Sequence, residues 1–315
     1  MPHTFSPGET SRRFYARVAT KFQDNTIVYL GGKATFGSNR SQELDDEMAN
    51  GWEQIMTTSF SRSESTAAFL ARASRPSPAN DLAVTPSIST DDVSAVFKRL
   101  KRGKAAGPEE LNNTFYRDYA TELAPILAAL YTLWMECGVM PESFEDAHIQ
   151  CLKTTAASAL SLDHRQIALL NSDYRILTKI LSFRSWPLLS HIVLPAQVEI
   201  VPKRSIHTAL DIFKAVWNVA REGRDMHAAI VLLLHFSKAY DTLQRPYLLS
   251  AFSWLGFSSQ FVSVVAALHR GTTCRFVVNG YRSRLRKVNC GIRQGCLLAP
   301  LLFILALDSI YRVIQ

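Results

Sequence analysis

The stretch VLLLHFSKAYD, residues 231 to 241, is an apolar run that ends in His235, Lys238 and Asp241. A short continuous apolar run is typical of a β-strand that is covered on both faces. The end of such a strand is where α/β proteins usually place catalytic side chains. A core strand that leaves the interior through a polar turn has the same pattern, so the stretch alone leaves both interpretations open.

The bulk composition indicates a globular chain. With 315 residues it has room for roughly two domains of ~150 residues each, and a hydrophobic content of 47% can bury a core. The net charge of +8 favours an anionic partner such as nucleic acid or a lipid surface. This excess is modest for the length of the chain, so it permits nucleic-acid binding without establishing it.

The cysteines and the apolar runs exclude several classes of protein. The cysteines are too widely spaced for a zinc site or a disulfide framework, and we expect them to be reduced, as in an intracellular protein. The N-terminus lacks the apolar core of a signal peptide, and the longest apolar run, residues 297 to 307, is too short to cross a bilayer. We therefore predict no membrane association and a buried helix for that run. The five cysteines are Cys137, Cys151, Cys274, Cys290 and Cys296.

A helix with a strongly basic end is predicted from Thr90, which is a suitable N-cap. Apolar residues recur at helical spacing from Val93 to Leu100, and Gly103 ends the pattern. The basic end is typical of a solvated face or of a surface that follows the phosphates of a nucleic acid. The basic residues are Lys98, Arg99, Lys101, Arg102 and Lys104.

Hydrophobic periodicity and turn residues predict an alternation of helices and strands around the opening stretch. Helices are predicted at about 113 to 137 with an interruption at Pro125, 171 to 190, 205 to 222, 246 to 255, 259 to 269 and 298 to 313. Strands are predicted at 147 to 153 and 227 to 236, and a hairpin at 273 to 289 turns at Asn279 and Gly280.

Five segments of the chain follow one another in a distinctive order. They are KAAGPEELNNTFY (104 to 116), HRQIALLNSDYRILTKIL (164 to 181), VPKRSIHTAL (201 to 210), VLLLHFSKAYDTL (231 to 243) and GIRQGCLLAPLLFILAL (291 to 307). The most diagnostic feature is RQGC followed by an apolar helix. Together the segments resemble the reverse transcriptase domain of non-LTR (LINE-like) retrotransposons, over about residues 90 to 315.

The resemblance implies an α+β fold, the fingers and part of the palm of a right-hand polymerase. The palm would be an antiparallel sheet backed by helices, and the thumb would be absent. Residues 1–88 would form a partly disordered N-terminal extension and connector, residues 89–226 the fingers-like region and residues 227–315 the partial palm.

The resemblance also implies an activity, RNA-directed DNA polymerase, with an RNA template, a DNA primer and a dNTP as partners. Members of the family use two Mg²⁺ ions, which require anionic oxygen ligands. Lys153 and Arg165 match the pair of cations that grips the triphosphate. Gln294 and Gly295 match the motif that packs on the nascent pair, and Tyr240 matches the aromatic gate against the ribose 2′-OH.

The sequence departs from the family pattern at the metal ligands. His235 stands where the family has its first metal-binding aspartate, and Asp241 matches the second aspartate of that run, which is not a metal ligand. The later aromatic-x-Asp-Asp turn would follow the helix that ends near Val313, beyond the 315 residues. We therefore expect a truncated, degenerate domain that does not bind Mg²⁺ productively and is inactive as written.

Two alternatives remain open at this point. The first is a non-catalytic nucleic-acid-binding module that uses the basic residues 98 to 104. The second is an unrelated enzyme in which His235 acts as the base for a nucleophile at Cys290 or Cys296. No orienting acid is identifiable for the second alternative.

Overall fold

The computed structural model describes residues 26–31, 33–34, 41–58, 65–76, 84, 87–154, 158–222 and 234–314. The strands are β1 (Tyr29–Leu30), β2 (Lys33–Ala34), β3 (His148–Lys153), β4 (His164–Leu169), β5 (Thr273–Val278), β6 (Tyr281–Arg282) and β7 (Arg286–Lys287). The first helices are α1 (Ser41–Thr57), α2 (Thr66–Arg72), α3 (Thr90–Arg99), α4 (Asn113–Asp118), α5 (Ala120–Cys137) and α6 (Ser172–Ser185). The later helices are α7 (Leu189–Ile192), α8 (Ile206–Glu222), α9 (Ala239–Thr242), α10 (Arg245–Leu255), α11 (Ser259–Ala267) and α12 (Ala299–Ile314). Within this part of the chain the fold is mixed α+β.

The main sheet has the strand order β4-β3-β5-β6, and β7 also pairs with β5. β3 runs antiparallel to β4 but parallel to β5. The prediction of an antiparallel sheet is therefore wrong for this central pair. A parallel neighbour needs a long crossover connection, and the chain between β3 and β5 supplies one with β4 and several helices.

The predicted hairpin turn at Asn279 and Gly280 is confirmed. β5 and β6 pair antiparallel across these two residues, with Val278 opposite Tyr281. Both turn residues have positive φ, +51° and +93°, as a two-residue type I′ turn requires. Asn279 also exchanges two hydrogen bonds with the backbone of Ile27, which attaches the N-terminal part of the chain to the hairpin.

The basic helix α3 begins one residue earlier than predicted, because Ser89 and not Thr90 is its N-cap. Ser89 Oγ accepts from the backbone N–H of Asp92, and the Asp92 carboxylate accepts from the backbone N–H of Ser89. This reciprocal capping box satisfies two N–H groups at once, which Thr90 cannot do from inside the helix. The helix ends at Arg99, so Lys101, Arg102 and Lys104 lie in the loop around Gly103.

The predicted interruption at Pro125 is wrong. α5 runs through Pro125, and the break lies at Tyr119, between α4 and α5. A proline this close to a helix start removes one backbone hydrogen bond. The buried side chains of Ala124 and Tyr131 hold the helix against the core on either side of that loss. Gly138 ends the helix in the left-handed conformation, as expected for a C-terminal glycine.

The helices predicted at 205 to 222, 246 to 255, 259 to 269 and 298 to 313 and the strand predicted at 147 to 153 agree with the structure to within a few residues. The strand β4 was not predicted. The helix expected at 171 to 190 is divided. α6 ends at Ser185, and a 3₁₀ turn, Trp186–Leu188, leads into α7. Pro187 lies in this turn, and a proline removes a backbone donor that a continuous helix would use.

The helix α1, inside the predicted N-terminal extension, packs against the sheet. Trp52 is 1% exposed, and its indole Nε1 donates to the carbonyl of Ser161 at 3.0 Å. Met48 and Met56 of the same helix are also buried. Residues 41–57 therefore belong to the core and not to a detached segment.

The helix α8 is amphipathic, and none of its residues is buried. The described residues leave its apolar face uncovered. No helix within the described ranges combines the length and apolar character needed to cross a bilayer. The exposed apolar residues of α8 include Ile206, Leu210, Ile212, Phe213, Val216, Trp217 and Val219.

Replacing Trp52 by alanine is expected to reduce the free energy of unfolding by about 3–5 kcal/mol, because it leaves a cavity and an unpaired Ser161 carbonyl. The matched control, Gln54→Ala at an exposed site of the same helix, should change it by less than about 0.5 kcal/mol. Urea denaturation followed by circular dichroism measures both. Equal effects of the two substitutions would show that α1 is not part of the core.

Candidate functional site

Residues 234 to 237 are exposed. Leu234, His235 and Phe236 lie outside any strand and face solvent. The predicted strand at 227 to 236 falls mainly on residues 223–233, which lie outside the described residues. At its described end the expected buried strand is not formed, and the His235 side chain is exposed.

The turn after Phe236 is anchored by Lys238. Its φ of +50° is strained for a residue with a side chain, at a cost of roughly 1 kcal/mol. Its Nζ lies 4.6 Å from the centroid of the Trp52 ring and donates to the carbonyl of Leu162. A cation–π contact is worth about 0.5–2 kcal/mol, enough to offset that strain. The turn is thereby attached to α1 and to the 3₁₀ turn before β4.

Tyr240, in the short helix α9, packs against the last helix. Its ring stacks on Phe303 of α12 with centroids 4.8 Å apart and an interplanar angle of 16°. Its backbone carbonyl accepts from the N–H of Ile292 at 2.8 Å. Burial raises the pKa of its hydroxyl. The ring therefore joins α9 to α12, and the backbone carbonyl joins α9 to the loop that contains Gln294.

Asp241 points inward and is bonded to Gln294. Gln294 Nε2 donates to Asp241 Oδ2 at 3.2 Å, and both residues line a cavity of about 30 Å³, which has room for a water molecule. Burial raises the pKa of Asp241 from 3.8 to about 6, although Lys238 and the bond from Gln294 act in the opposite direction. The Asp241 carboxylate therefore lies inside the site, where it is hydrogen-bonded to Gln294.

Two glycines allow the Gln294 loop to approach its neighbours. Gly291 has φ +76°, and a Cβ there would lie 2.6 Å from the carbonyl oxygen of Asp241. Gly295 has φ +119°, and a Cβ there would lie 2.3 Å from the carbonyl oxygen of Ala168. The backbone N–H of Ala168 also donates to the carbonyl of Gln294 at 2.6 Å. The structure therefore brings together Tyr240, Asp241, Gln294 and Gly295.

Two arginines to which the sequence analysis gave no role hold the same loop: Arg293 of RQGC, which is buried, and Arg245, which is half-buried. Arg293 donates to the carbonyls of Phe144 at 2.8 Å and Leu268 at 3.1 Å, with its guanidinium 4.3 Å from the Tyr174 ring centroid. Arg245 donates to the carbonyl of Gly291 at 3.1 Å. The only indication in the sequence is that each arginine lies near apolar residues. The sequence does not show which carbonyls the arginines bind.

Lys153 and Arg165 lie on neighbouring strands but point to opposite faces. In the β3–β4 register Lys153 is opposite His164, and Arg165 is opposite Leu152. Side chains alternate along a strand, so the two cations leave the sheet on different sides. Lys153 Nζ donates to the carbonyl of Thr26 at 2.6 Å, and Arg165 is exposed. A joint grip on a triphosphate by these two side chains stays a prediction.

The basic residues at the end of α3 form an exposed surface, as predicted for a solvated or phosphate-binding face. Two of them have specific contacts: Arg102 pairs with Asp118, and Arg99 lies over the ring of Phe183 on α6. The exposed members are Lys98, Arg99, Lys101, Arg102 and Lys104.

No cluster that could hold a metal ion forms among the described residues. Asp308 of α12 is fully buried and accepts from the backbone N–H of Leu194 at 2.8 Å and from Arg312 at 2.7 Å. It therefore stabilises the packing of α12.

The pairing of His235 with a cysteine nucleophile is not supported by the geometry. His235 is exposed, whereas Cys290 and Cys296 are buried. Cys290 Sγ donates to the carbonyl of Ile55 at 2.8 Å, and burial raises its pKa. A buried thiol of this kind is protonated and unreactive.

Asp241→Asn is expected to become progressively more stabilising, relative to the unchanged chain, as the pH rises from 4 to 7. The folded-state pKa of about 6 lies above the unfolded value of 3.8, so the stability that protonation provides is present at low pH and is lost through this interval. The difference should reach the order of 2 kcal/mol. Urea titrations across this range measure it, with Asp211→Asn at an exposed site of α8 as control; parallel pH profiles would contradict the burial of Asp241.

A comparison with protein families identifies the second half of the chain. Residues 153–315, just over half of the chain, match the family described as Reverse transcriptase (RNA-dependent DNA polymerase). The matched region contains Tyr240, Asp241 and the Gln294 loop.

Two curated relatives extend the match towards the N-terminus. The chain is 26% identical over 221 residues to the Transposon TX1 uncharacterized 149 kDa protein of Xenopus laevis, which is 70% of this chain and 17% of that protein. It is 24% identical over 223 residues to the RNA-directed DNA polymerase from mobile element jockey of Drosophila melanogaster, which is 69% of this chain and 24% of that protein. The chain thus spans less than a quarter of the length of either relative. It belongs to the reverse transcriptase family, as a domain of the non-LTR (LINE-like) retrotransposon type.

Proposed function

We propose that this chain is the fingers and partial palm of a retrotransposon RNA-directed DNA polymerase and that, as written, it does not extend a primer. Residues 89–226 would be the fingers-like region and residues 227–315 the partial palm. The observation that carries the proposal is His235, an exposed imidazole where the family has a metal-binding aspartate. The jockey relative, named as an RNA-directed DNA polymerase, supports the ancestral activity.

The described carboxylates do not fit a two-magnesium site. Mg²⁺ prefers anionic oxygen ligands and takes imidazole poorly. Asp241 is bonded to Gln294 inside the site, and Asp308 is bonded to Leu194 and Arg312. Because each of these acids already has a structural role, neither is free to replace the aspartate that is missing at His235.

The ligands proposed for the site are an RNA template, a DNA primer and a dNTP. Gln294 and Gly295 are held against β4 and α9, a position from which they could contact a nascent base pair. Arg165 is exposed and could meet a triphosphate, whereas Lys153 would first have to leave the carbonyl of Thr26. We therefore expect a weaker triphosphate site than a paired Lys-Arg grip would provide.

Restoring the aspartate with His235→Asp should yield no magnesium-dependent primer extension. A single carboxylate cannot hold two metal ions, and the described residues offer no others beside it. The assay uses an RNA template annealed to a DNA primer with dNTPs and Mg²⁺, and an active reverse transcriptase as positive control.

His235→Asn is the matched control, since it has the shape of aspartate without the charge. Extension by the aspartate variant but not by the asparagine variant would contradict this account of the metal site, in which the other ligands are also missing among the described residues. Extension by the unchanged chain would overturn the proposed inactivity.

Non-catalytic nucleic-acid binding is a second candidate function. It is supported by the exposed basic residues of the segment 98 to 104, which lie at the end of α3 and in the loop that follows it. Surfaces of this kind bind phosphates by releasing counterions, so the affinity falls as salt rises.

Replacing Lys98, Arg99, Lys101 and Arg102 together by alanine should weaken binding to a primer–template duplex. Each lost phosphate contact should reduce the slope of log affinity against log salt by about 0.9. Fluorescence anisotropy over a salt series measures both quantities.

A control variant removes the same charge from exposed positions elsewhere. An equal loss in both variants would mean that net charge, and not this surface, determines binding. The control replaces Lys214, Arg221, Arg270 and Lys287 by alanine.

A further inference from the structure

Side chains of α6 extend the basic surface beyond residues 98 to 104. The guanidinium carbon of Arg99, at the end of α3, lies 4.7 Å from the centroid of the Phe183 ring. Nζ of Lys179, one turn before Phe183 on α6, lies 5.7 Å from the same centroid. Two cations from helices that are distant in sequence therefore share one aromatic ring.

Apart from Arg102, the cations of this surface have no ion-pair partner among the described residues. The nearby carboxylates of Asp92 and Asp118 are bonded to Arg184 and Arg102. Within the described ranges, the cations without a carboxylate at ion-pair distance include Lys98, Arg99, Lys101, Lys104 and Lys179.

The mutual repulsion of Arg99 and Lys179 favours an anionic ligand. Partial burial lowers the pKa of Lys179, and the neighbouring charge of Arg99 lowers it further. An anion between these two side chains would oppose the lowering of the Lys179 pKa, because it supplies the countercharge that the described residues lack.

Two aromatic residues distinguish this surface from a simple anion site. Phe183 and Trp186 are each 39% exposed, and they are three residues apart, which places them on the same side of a helical segment. Exposed aromatic rings beside a row of cations are typical of proteins that bind single-stranded nucleic acid, where unpaired bases stack on the rings. Paired bases in a duplex cannot do so.

Resting on the proposed nucleic-acid binding of this domain, we infer that Arg99, Lys179, Phe183 and Trp186 form a contact for a single-stranded segment of RNA or DNA. Arg99 and Lys179 bind its phosphates, and its bases stack on the exposed parts of Phe183 and Trp186. The surface lies on the side of α3 and α6 and adds to the loop at residues 101 to 104. Because of its aromatic rings, this surface should bind a single strand more tightly than a duplex. The basic loop alone gives no reason to expect such a preference.

The test replaces the α6 residues by Lys179→Gln, Phe183→Leu and Trp186→Leu in the full chain. The α8 helix offers a matched control, since Lys214, Phe213 and Trp217 are exposed residues of the same three types. Binding is measured by anisotropy with labelled oligouridine, with oligothymidine, and with oligouridine annealed to oligoadenosine. Thermal melts check that both triple variants fold.

The α6 variant is expected to bind oligouridine about tenfold or more weakly than the unchanged chain, with a smaller loss for the duplex. The control variant should bind both as the unchanged chain does. If the α6 variant loses similar affinity for oligouridine and oligothymidine, the surface does not distinguish ribose from deoxyribose. If it loses affinity for only one of them, the surface binds RNA or DNA accordingly. If the triple variant does not fold, Lys179→Gln alone should reduce the salt slope for oligouridine by about 0.7.

Three outcomes contradict the inference in distinguishable ways. If the α6 and α8 variants both bind oligouridine as tightly as the unchanged chain does, the α6 contact is wrong while the proposed function stands. If the α6 variant loses the same affinity for oligouridine as for the duplex, the surface contacts phosphates only. If the unchanged chain binds none of the oligonucleotides at low salt but binds phosphatidylserine vesicles, the proposed nucleic-acid binding itself is wrong and the surface is a lipid contact.

Discussion

The buried guanidinium of Arg293 is the constraint on which the rest of the site depends. A buried charge is costly unless it is well hydrogen-bonded, and Arg293 meets two main-chain carbonyls and the ring of Tyr174 where an acid would be usual. The carbonyls belong to the turn before β3 and to the end of α11, and Tyr174 belongs to α6. One side chain thus joins three elements, and the next residue in the chain is Gln294.

The position of Gln294 in turn determines which group is hydrogen-bonded to the Asp241 carboxylate. The loop can lie against α9 and β4 only because Gly291 and Gly295 lack a Cβ at the two closest approaches. The amide of Gln294 then meets the Asp241 carboxylate inside a small cavity, where burial raises its pKa. The Gln294 loop therefore surrounds an acid that is used for packing.

Much of the local structure could be predicted from the sequence, because it depends on neighbouring residues. The turn at Asn279 and Gly280 and the end of α5 at Gly138 follow from backbone preferences that act over a few positions. The start of α3 was misjudged by one residue, since Ser89 and Thr90 are both good caps and only the bond to Asp92 distinguishes them. The uninterrupted path through Pro125 depends on the core packing of α5, which no local pattern reports.

The sequence by itself determined the family and the places of most of the long helices, because both depend on residue identity and spacing. Only the tertiary structure decided where the side chains meet. The register of β3 and β4 separates Lys153 from Arg165, and the packing of α3 on α6 brings Arg99 to Phe183 and Lys179. The physical reason is that such contacts join residues far apart in the chain, whose approach depends on the packing of whole elements.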